Sequence, residues 1–382
     1  MKKVFVAMSG GVDSSVSAAL LKKAGYDVVG VYMKQWAPAV FLKECPWKED
    51  RQDALRAAAQ LGIPFLTWDF SKEYEKQVGK YMVESYKKGI TPNPDVMCNK
   101  VIKFGLFYDK AMKEGADFVA TGHYVRTSFG NKFSASARLP AQARSSFGKI
   151  FASQNHAILP AGYAKNSLPR SVTLLKAVDL NKDQSYFLYQ LKKEQLPYIL
   201  FPVGELTKPE VRKLAKKLKL HNAEKKDSQG VCFVGNIDMK LFLQQFIKPK
   251  KGNIMSLNGE LLGQHDGAYY YTIGQRHGLN IQEGAGPYFV ADKNIKKNII
   301  YVGSKKELFK KEATIQSIHW IEKPQKFPIS IEARLRYRSP LVKAILHENG
   351  NLVFSKAQAA LAPGQSAVFY QREKVLGGGI IV

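Results

Sequence analysis

Residues 9–15 read Ser9-Gly10-Gly11-Val12-Asp13-Ser14-Ser15, and this stretch decides the fold of the N-terminal part. It follows an apolar run, Val4 to Met8, that is typical of a buried strand, and it opens a helical stretch from Ser14 to Ala24. Two glycines let the backbone approach an anion closely, and a helix start offers N–H groups and a positive dipole end. The order of strand, glycine turn and helix therefore predicts a cradle for pyrophosphate.

The motif differs from the two common phosphate-binding patterns. It contains neither the GxxxxGK[ST] of Walker-type NTPases nor the GxGxxG of dinucleotide sites, so both classes are disfavoured. Ser9, Ser14 and Ser15 are expected to add hydroxyl donors. Because a bare carboxylate would repel phosphate, Asp13 is interpreted as a Mg²⁺ ligand or as an orienting group. The alternative to a phosphate site is a simple Gly/Ser helix cap.

Strands and helices continue to alternate up to residue 120. The apolar runs that predict further strands are 28–33, 64–70 and 117–120. The amphipathic stretches that predict helices are 50–61, 71–88 and 101–114. This alternation predicts a parallel sheet that is covered on both faces and binds ligands at the carboxyl ends of its strands.

The composition changes twice further along the chain. Residues 128–173 are rich in Ser, Ala, Gly and Pro and contain no acidic residue, which predicts a long insertion, either a solvated loop or a basic arm that touches RNA. Residues 208–220 predict a very basic helix that docks one apolar face and leaves its lysines either to solvent or to RNA. After about residue 267, short strand-like runs between glycine turns predict a small antiparallel barrel or sandwich.

Charge is the most informative bulk property. The 382 residues include 58 Lys and Arg against 32 Asp and Glu, a formal net charge of +26. Such an excess attracts polyanions, so nucleic acid is the expected partner, with a generally basic composition as the alternative. No apolar run reaches the roughly 18 residues of a membrane helix. Met1-Lys2-Lys3 enters an apolar run directly, so we expect no membrane association and a cytoplasmic location, or the mitochondrial matrix if a presequence has been removed.

The chain has three cysteines, Cys45, Cys98 and Cys232. A disulfide-stapled secreted protein would have more, so each is either a small buried residue or a reactive thiol. Cys98 and Cys232 are predicted to lie in Gly/Pro/Asn-flanked loops, where a thiolate can be exposed. Cys45 lacks such a context and is predicted to be structural. No CxxC pair or His–Cys cluster is present, so no zinc site is predicted.

The glycine motif resembles the PP-loop of the ATP pyrophosphatase superfamily, whose members adenylate a carbonyl or carboxyl oxygen and release pyrophosphate. Further motifs narrow the resemblance to the tRNA-specific 2-thiouridylase family, and they lie in order over nearly the whole chain. They are Thr91-Pro92-Asn93-Pro94-Asp95-Val96-Met97-Cys98-Asn99-Lys100, Ile102-Lys103-Phe104-Gly105, Thr121-Gly122-His123-Tyr124, Lys182-Asp183-Gln184-Ser185-Tyr186-Phe187-Leu188, Ser228-Gln229-Gly230-Val231-Cys232-Phe233, Tyr271-Thr272-Ile273-Gly274-Gln275-Arg276, Arg336-Tyr337-Arg338 and Pro363-Gly364-Gln365.

This resemblance implies tRNA 2-thiolation. ATP would adenylate the 2-oxo oxygen of the wobble uridine, and a cysteine persulfide would then supply sulfur, giving 2-thiouridine, AMP and pyrophosphate. The chemistry needs an oxygen turned into a leaving group and a sulfur nucleophile, which makes two cysteines useful: one carries the terminal sulfur and the other breaks the S–S bond. ATP and Mg²⁺ are the implied cofactors. The implied partners are tRNA and a persulfide-delivering sulfur-carrier protein, with the chain acting as a monomer.

The resemblance also implies roles for individual residues. Cys98 would be the nucleophile, Cys232 the persulfide carrier that forms a transient disulfide with it, and Asp95 the acid/base partner. The residues implied in ATP binding are Ala7, Met8, Ser9, Gly10, Gly11, Val12, Asp13, Ser14, Met33 and Gly122. The residues implied in tRNA binding are Asn93, Pro94, Asp95, His123, Lys182, Asp183, Gln184, Arg336, Tyr337 and Gln365.

The expected fold class is α/β with three domains. The first, residues 1–205, would be a parallel-sheet PP-loop domain of the adenine nucleotide alpha hydrolase type with the insertion at about 128–173. The second, 206–270, would be a small central tRNA-binding or linker domain that carries Cys232. The third, 271–382, would be an antiparallel β-barrel.

The sequence departs from the family at two places without losing a catalytic residue. Gln35-Trp36 leads into Ala37-Pro38-Ala39, where the family usually runs through Asn-Trp into an acidic segment, and the 128–173 insertion replaces a short connection. Two alternatives are weighed against thiolation. An amidating ligase of the same superfamily would need neither two loop cysteines nor the basic excess. A tRNA-binding protein with a relic nucleotide site would not need Ser9 to Ser15, Asp95, Cys98 and Cys232 intact.

Overall fold

The computed structural model describes residues 1–38, 47–129, 172–226, 239–279, 281 and 286–382. The chain divides into two compact units. Unit 1 comprises Met1–Glu75, Asp95–Gly235 and Glu373–Leu376, and unit 2 comprises Lys76–Pro94, Asn236–Arg372 and Gly377–Val382. The interpretations of Cys45, of Cys232 and of residues 130–171 in the predicted insertion lie outside the described residues.

Unit 1 is built on a five-stranded sheet in which every neighbouring pair runs parallel, in the order β3-β2-β1-β4-β7. Its strands are β1 Lys3–Ala7, β2 Asp27–Lys34, β3 Phe65–Asp69, β4 Phe118–Ala120 and β7 Ile199–Leu200. An antiparallel pair, β5 Arg126–Phe129 and β6 Val172–Leu175, also lies in unit 1. The central strand β1 is buried from Val4 onward, because β2 and β4 flank it and α1 packs against it. The predicted parallel sheet is confirmed.

The helices of the described residues lie close to the predicted ranges, with two differences. The α-helices are α1 Val12–Lys23, α2 Trp47–Leu61, α3 Ser71–Tyr74, α4 Lys80–Lys87, α5 Pro94–Met97, α6 Tyr108–Lys113, α7 Lys208–Lys217 and α8 Met239–Gln244. A π-helical stretch, Glu75–Gly79, separates α3 from α4. A second one, Cys98–Phe107, joins α5 to α6, so this helix begins at Pro94 and not near residue 101. Proline fits there because the first helical residue needs no N–H donor.

Helix α7 docks on α1 through the apolar positions that its sequence predicted. Val211, Leu214 and Ala215 are buried in a cluster that includes Val12 and Val16 of α1. The helix is held at its start by a capping box between Thr207 and Glu210. Its lysines at 213, 216 and 217 are exposed on the opposite face. The predicted amphipathic docking is therefore confirmed. Within the described ranges, no helix combines the length and apolarity that a bilayer crossing requires.

Unit 2 contains a small sheet and a closed antiparallel barrel. The small sheet has the order β10-β11-β8-β9, with β8 Gly252–Ser256, β9 Leu261–His265, β10 Phe289–Asn294 and β11 Ile299–Gly303. The barrel strands are β12 Phe309–Trp320, β13 Ile329–Arg334, β14 Val342–Leu346, β15 Asn351–Ala359, β16 Ser366–Gln371 and β17 Lys374–Ile381, the last of which enters unit 2 at Gly377. Strand β12 pairs with both β15 and β17, which closes the barrel and removes its edges. The predicted C-terminal barrel is confirmed.

Two barrel strands escaped the sequence analysis. Strand β12 carries mostly polar side chains, and only Ala313 and Ile315 along it are buried. Strand β17 contains Gly377-Gly378-Gly379, and glycine is depleted in strands because its backbone loses more entropy on ordering. Pairing with neighbours in the barrel overrides these local preferences.

Phe107 is the last residue of the π-helical stretch Cys98–Phe107, and replacing it measures how much this stretch contributes to the core of unit 1. Its side chain is fully buried, with its ring centroid 5.6 Å from that of Trp68. We expect Phe107→Ala to lower the free energy of unfolding by about 3–5 kcal/mol, because a cavity remains where the ring was. Urea denaturation followed by tryptophan fluorescence measures this. The control Leu180→Ala alters an exposed side chain and should change the free energy by less than about 0.5 kcal/mol. Equal losses of unfolding free energy in the two variants would contradict the placement of Phe107 in the core of unit 1.

Candidate nucleotide and thiol site

The glycine loop lies between β1 and α1, at the carboxyl end of the central strand of unit 1. Gly10 has φ +80°, a left-handed conformation that side chains other than glycine rarely adopt. A Cβ on Gly10 would also collide with the carbonyl group of Asp50. Gly11 then caps α1 with an extended backbone. The first N–H groups of α1 lack helical partners, so the loop has the geometry of an anion cradle.

The serine hydroxyls mainly hold the shape of this loop. Ser14 Oγ and Ser15 Oγ each donate to the Gly11 carbonyl at 3.1 Å. Ser9 N in turn donates to Ser14 Oγ at 3.2 Å. Ser14 and Ser15 thus use their hydroxyl protons inside the loop, contrary to the expectation that they add donors for the anion. That task falls to the backbone N–H groups at the start of α1.

Three adjacent strands bring most of the predicted ATP-binding residues to one edge of the sheet. Ala7 ends β1, Met33 lies near the end of β2, and Gly122 follows β4. Gly122 packs so closely that a Cβ on it would lie 2.7 Å from Ser14 N. The carboxyl ends of parallel strands are the usual ligand edge of such a sheet, so this arrangement suits a nucleotide.

Asp13 is neutralised by a buried lysine of α7. Lys208 Nζ lies 2.7 and 2.8 Å from the two carboxylate oxygens, and Tyr124 OH donates to Oδ1 at 2.8 Å. Lys208 is only 8% exposed. Of the two interpretations of Asp13, the geometry favours an orienting group. In the described part of the chain, no group of three or more His, Cys, Asp or Glu side chains could hold a metal.

The predicted nucleophile lies in a helix and is buried. Cys98 is 1% exposed and begins the π-helical stretch, one turn after Asp95. Asn99 Nδ2 donates to the Asp95 carbonyl at 2.9 Å, which ties the two turns together. The expectation of an exposed thiolate in a loop is therefore wrong for Cys98, because Pro94 starts a helix and does not break one. The carboxylate-bearing Asp95 is half-buried.

His123 is enclosed by the helix that carries Cys98. Its Nδ1 lies 2.8 Å from Thr121 Oγ1 and its Nε2 3.4 Å from Lys103 Nζ. The rings of Phe104 and Phe201 flank it at centroid distances of 5.9 and 6.5 Å. Burial, aided by the Lys103 charge, lowers the pKa of His123 well below its ordinary value. His123 is therefore a buried ring that resists protonation, and its contact with tRNA stays a prediction.

The Lys182-Asp183-Gln184 motif braces the loop that contains Gly122. Asp183 is buried and accepts hydrogen bonds from Ser185 N and Ser185 Oγ at 3.2 and 2.9 Å, an Asx turn. Gln184 Oε1 accepts from Tyr124 N, and Gln184 N donates to the Tyr124 carbonyl, both at 2.9 Å. Lys182 is half-buried. The tRNA contacts predicted for these residues stay predictions.

Four motifs that are far apart in sequence meet in unit 2. Gln365 Nε2 donates to the carbonyls of Thr91 and Pro92 at 3.0 Å, and Thr91 Oγ1 lies 3.1 Å from Thr272 Oγ1. Arg336 Nη2 donates to the Ile273 carbonyl at 3.2 Å. Gln365 thus holds the segment that leads into Asn93 and Pro94. The contacts with tRNA predicted for Gln365, for Arg336 and for the half-buried Tyr337 stay predictions.

Sequence reasoning missed Lys208 and Asn222. Asn222 is 3% exposed and its Nδ2 donates to the Gly10 carbonyl. The first turn of a helix favours acidic side chains, so a lysine at the start of α7 was an available signal. Asn222 gave no comparable signal.

Comparisons with known proteins give a consistent family. Residues 2–236 match the family described as "tRNA methyl transferase HUP domain", residues 227–304 match "tRNA methyl transferase PRC-barrel domain", and residues 310–381 match "Aminomethyltransferase beta-barrel domain". These matches agree with the parallel sheet and the closed barrel described above.

Three relatives called tRNA-specific 2-thiouridylase MnmA align over nearly the whole chain. The one from Streptococcus mutans is 42% identical over 99% of this chain and 95% of its own length. The one from Flavobacterium johnsoniae is 39% identical over 100% of both chains. The one from Streptococcus uberis is 43% identical over 99% of this chain and 95% of its own. Among solved structures, the NMN synthetase from Francisella tularensis has a TM-score of 0.30 and 18% identity over 59% of this chain and 66% of that chain, too little similarity for any inference.

Asp13 and Lys208 are expected to contribute to the free energy of unfolding as an interdependent pair. Lys208→Met leaves the carboxylate without its cation and should lower the free energy of unfolding by about 1–3 kcal/mol. The double variant Lys208→Met/Asp13→Asn should recover most of that loss, which a double-mutant cycle by urea denaturation measures. In the control Lys216→Met, an exposed pair with Glu224 is lost and the change should stay below about 1 kcal/mol. Additive effects of the two substitutions would refute the coupling.

The buried His123 is expected to make unit 1 less stable in acid. The unfolded chain binds a proton at this histidine near pH 6.5, whereas the folded chain does so only at lower pH, so stability is complete above pH 6.5 and falls as the pH drops below it. The slope is up to about 1.4 kcal/mol per pH unit. Urea denaturation at pH 7.5 and 5.0 should show a smaller acid loss in His123→Asn than in the wild type. Parallel pH profiles would show that His123 is protonated in the folded state.

Proposed function

The chain belongs to the tRNA-specific 2-thiouridylase family, and from this premise we propose that it is an ATP-dependent tRNA-uridine 2-sulfurtransferase. The reaction adenylates the 2-oxo oxygen of the wobble uridine and replaces that oxygen with sulfur from a cysteine persulfide. The products are 2-thiouridine, AMP and pyrophosphate.

One packing relation carries the proposal: the helix with Cys98 lies on the loop that touches the phosphate cradle. Gly122 contacts the start of α1, and the next residue, His123, contacts Lys103 and Phe104 of the Cys98 helix. An anion cradle and a cysteine three residues after a carboxylate are thus built into one unit. A nucleotide that activates an oxygen and a thiol that handles sulfur need this kind of proximity.

The cradle fits ATP through backbone groups. N–H groups at the start of α1 would hold phosphate oxygens, and Met33 and Gly122 would lie near the adenosine part. Mg²⁺ would be held chiefly by the phosphates, because Asp13 already pairs with Lys208. Bound ATP supplies the adenylyl group that makes the uridine oxygen a leaving group.

The sulfur step uses both cysteines with balanced chemistry. The terminal sulfur of the Cys232 persulfide attacks C2 of the adenylated uridine, and AMP leaves with the oxygen. The Cys98 thiolate then attacks the sulfur of Cys232, which breaks the S–S bond, frees the 2-thiocarbonyl and leaves a Cys98–Cys232 disulfide. Asp95 takes up or returns the proton near the base. A dithiol reductant restores the two thiols. Because Cys98 is 1% exposed, this attack requires the start of its helix to open.

The excess of basic residues would help to hold the tRNA. The net charge of +26 favours a polyanion. Asn93, Pro94 and Asp95 would meet the target base, while exposed Arg336 and half-buried Tyr337 suit phosphate contact and base stacking. The buried Asp183 would act on tRNA only through the loop that it braces. A persulfide-delivering protein is the proposed sulfur source.

Thiolation explains the residues better than its alternatives do. Two family descriptions refer to methyl transfer, yet a methyltransferase has no use for a pyrophosphate cradle. An amidating ligase would need the cradle but neither Cys98 nor Cys232. The relatives that align over the whole chain are themselves called thiouridylases.

The direct test is incubation of the protein with unmodified tRNA, ATP, Mg²⁺ and a persulfide donor, followed by mass analysis of the nucleosides. We expect sulfur on uridine only when ATP is present. Cys98→Ser and Cys232→Ser should each reduce this gain on the order of a thousandfold, because each removes a reacting sulfur. With free sulfide in place of the persulfide donor, Cys232→Ser should regain activity.

Cys45→Ser is the matched control, and it should retain wild-type activity. Sulfur gain without ATP would contradict adenylation. Absence of sulfur gain, with tRNA bound and ATP uncleaved, would instead support an RNA-binding protein with a relic nucleotide site.

A further inference from the structure

The turn that follows α7 is fixed against α1. Leu220 and Ala223 are 4% and 6% exposed and belong to the same apolar cluster as Val12 and Val16. Leu220 N donates to the Ala215 carbonyl at 3.0 Å and Ala223 N to the Leu220 carbonyl at 3.1 Å. Asn222 lies between these two anchors, so its side chain has little freedom beside the glycine loop.

The Asn222 amide makes two hydrogen bonds to that loop. Its Nδ2 donates to the Gly10 carbonyl and to Ser15 Oγ, both at 2.9 Å. Ser15 Oγ in turn donates to the Gly11 carbonyl at 3.1 Å. The amide therefore holds one glycine carbonyl directly and the other through a serine. With 3% of Asn222 and none of Ser15 exposed, water is excluded from these bonds.

An anion cradle needs this kind of support behind it. A left-handed residue such as Gly10 turns successive N–H groups to one side, and its own carbonyl must then point elsewhere. A buried carbonyl without a donor is costly, and the loop would relax toward another conformation to satisfy it. A donor that is already in place keeps the N–H groups aimed at the anion before the anion arrives.

We propose that Asn222 is a positioning residue for nucleotide binding, which acts on ATP only through the Gly10 carbonyl and Ser15. This inference rests on the proposed function, because it takes the triphosphate of ATP as the anion. It assigns Asn222 the task of keeping the cradle in its binding conformation in the absence of ligand. No contact between Asn222 and the nucleotide is required.

Besides its two apolar anchors, the turn is held by an ion pair that does not depend on Asn222. Lys225 Nζ lies 2.7 Å from both Asp50 Oδ1 and Asp53 Oδ2 of α2. Together with the apolar anchors, this pair should keep the turn in place when residue 222 is changed. Substitution of Asn222 should therefore alter the loop and leave the fold intact.

Two substitutions separate the parts of the proposal. Asn222→Ala removes the donor and should raise the KM for ATP about tenfold. Asn222→Asp keeps the shape, replaces the donor with an acceptor and adds a negative charge behind the cradle, so its KM for ATP should rise further, about a hundredfold. The KM for tRNA should change by less than about twofold in both variants, because the proposal gives the glycine loop a role in binding ATP and none in binding tRNA. The rate of tRNA-dependent AMP release measures both constants, and equilibrium dialysis with labelled ATP measures binding alone.

Asn298→Gly is the matched control. Asn298 is a buried asparagine of unit 2 that also donates to two carbonyls, those of Lys250 and Lys251, at 2.9 Å. Its φ of +53° suits glycine, so the substitution removes the amide without backbone strain. This variant should lose thermal stability and keep the wild-type KM for ATP.

The outcomes distinguish this inference from the proposed function. An unchanged KM and Kd for ATP in Asn222→Ala, or an equal rise in the KM for ATP and for tRNA, would overturn the positioning role while the enzyme remained a sulfurtransferase. Failure of the wild type to bind ATP would overturn the proposed function and this inference with it. A selective rise for ATP in the order Ala then Asp, absent from Asn298→Gly, supports it.

Discussion

The left-handed turn at Gly10 is the constraint on which the rest of unit 1 depends. It lets the chain leave β1 and enter α1 with the helix N–H groups directed at one point in space. No side chain fits at Gly10 because of the Asp50 carbonyl. Neighbouring side chains form hydrogen bonds with the carbonyl groups of this turn. The serines bond to Gly11, and Asn222 bonds to Gly10.

Helix α7 serves this loop in two ways. Its apolar face packs on α1 and sets the position of the helix, while Lys208 at its first turn neutralises Asp13. A carboxylate beside a phosphate site would oppose binding, and a buried cation within 3 Å of it removes most of that opposition. The same helix ends in the turn that carries Asn222. One segment of the chain therefore supplies packing, charge compensation and the donor for Gly10.

Cys98 is positioned by a helix that changes from α-helical to π-helical geometry at that residue. A π-helical stretch accommodates an extra residue per turn and shifts the faces on which side chains lie. Asn99, which follows Cys98, donates from Nδ2 to the Asp95 carbonyl and so ties the first turn of the π-helical stretch to the α-helix before it. The side chain of Cys98 is 1% exposed, so solvent has little access to the thiol in this conformation. In unit 2, Gln365 and Thr272 hold the segment just before this helix.

Local patterns of polarity and turn residues were sufficient to predict the alternation of strands and helices, the glycine cradle, the docking face of α7 and the C-terminal barrel. The motifs of the sequence also identified the family. Long-range packing places Cys98 in a buried helix, buries His123 and makes β17 a strand despite three consecutive glycines, and none of this could be read from the sequence. The tertiary structure also decided which groups support the cradle. Lys208 and Asn222 lie 195 and 212 positions from their partners Asp13 and Gly10, and pairing across such separations is set by packing, which no local pattern encodes.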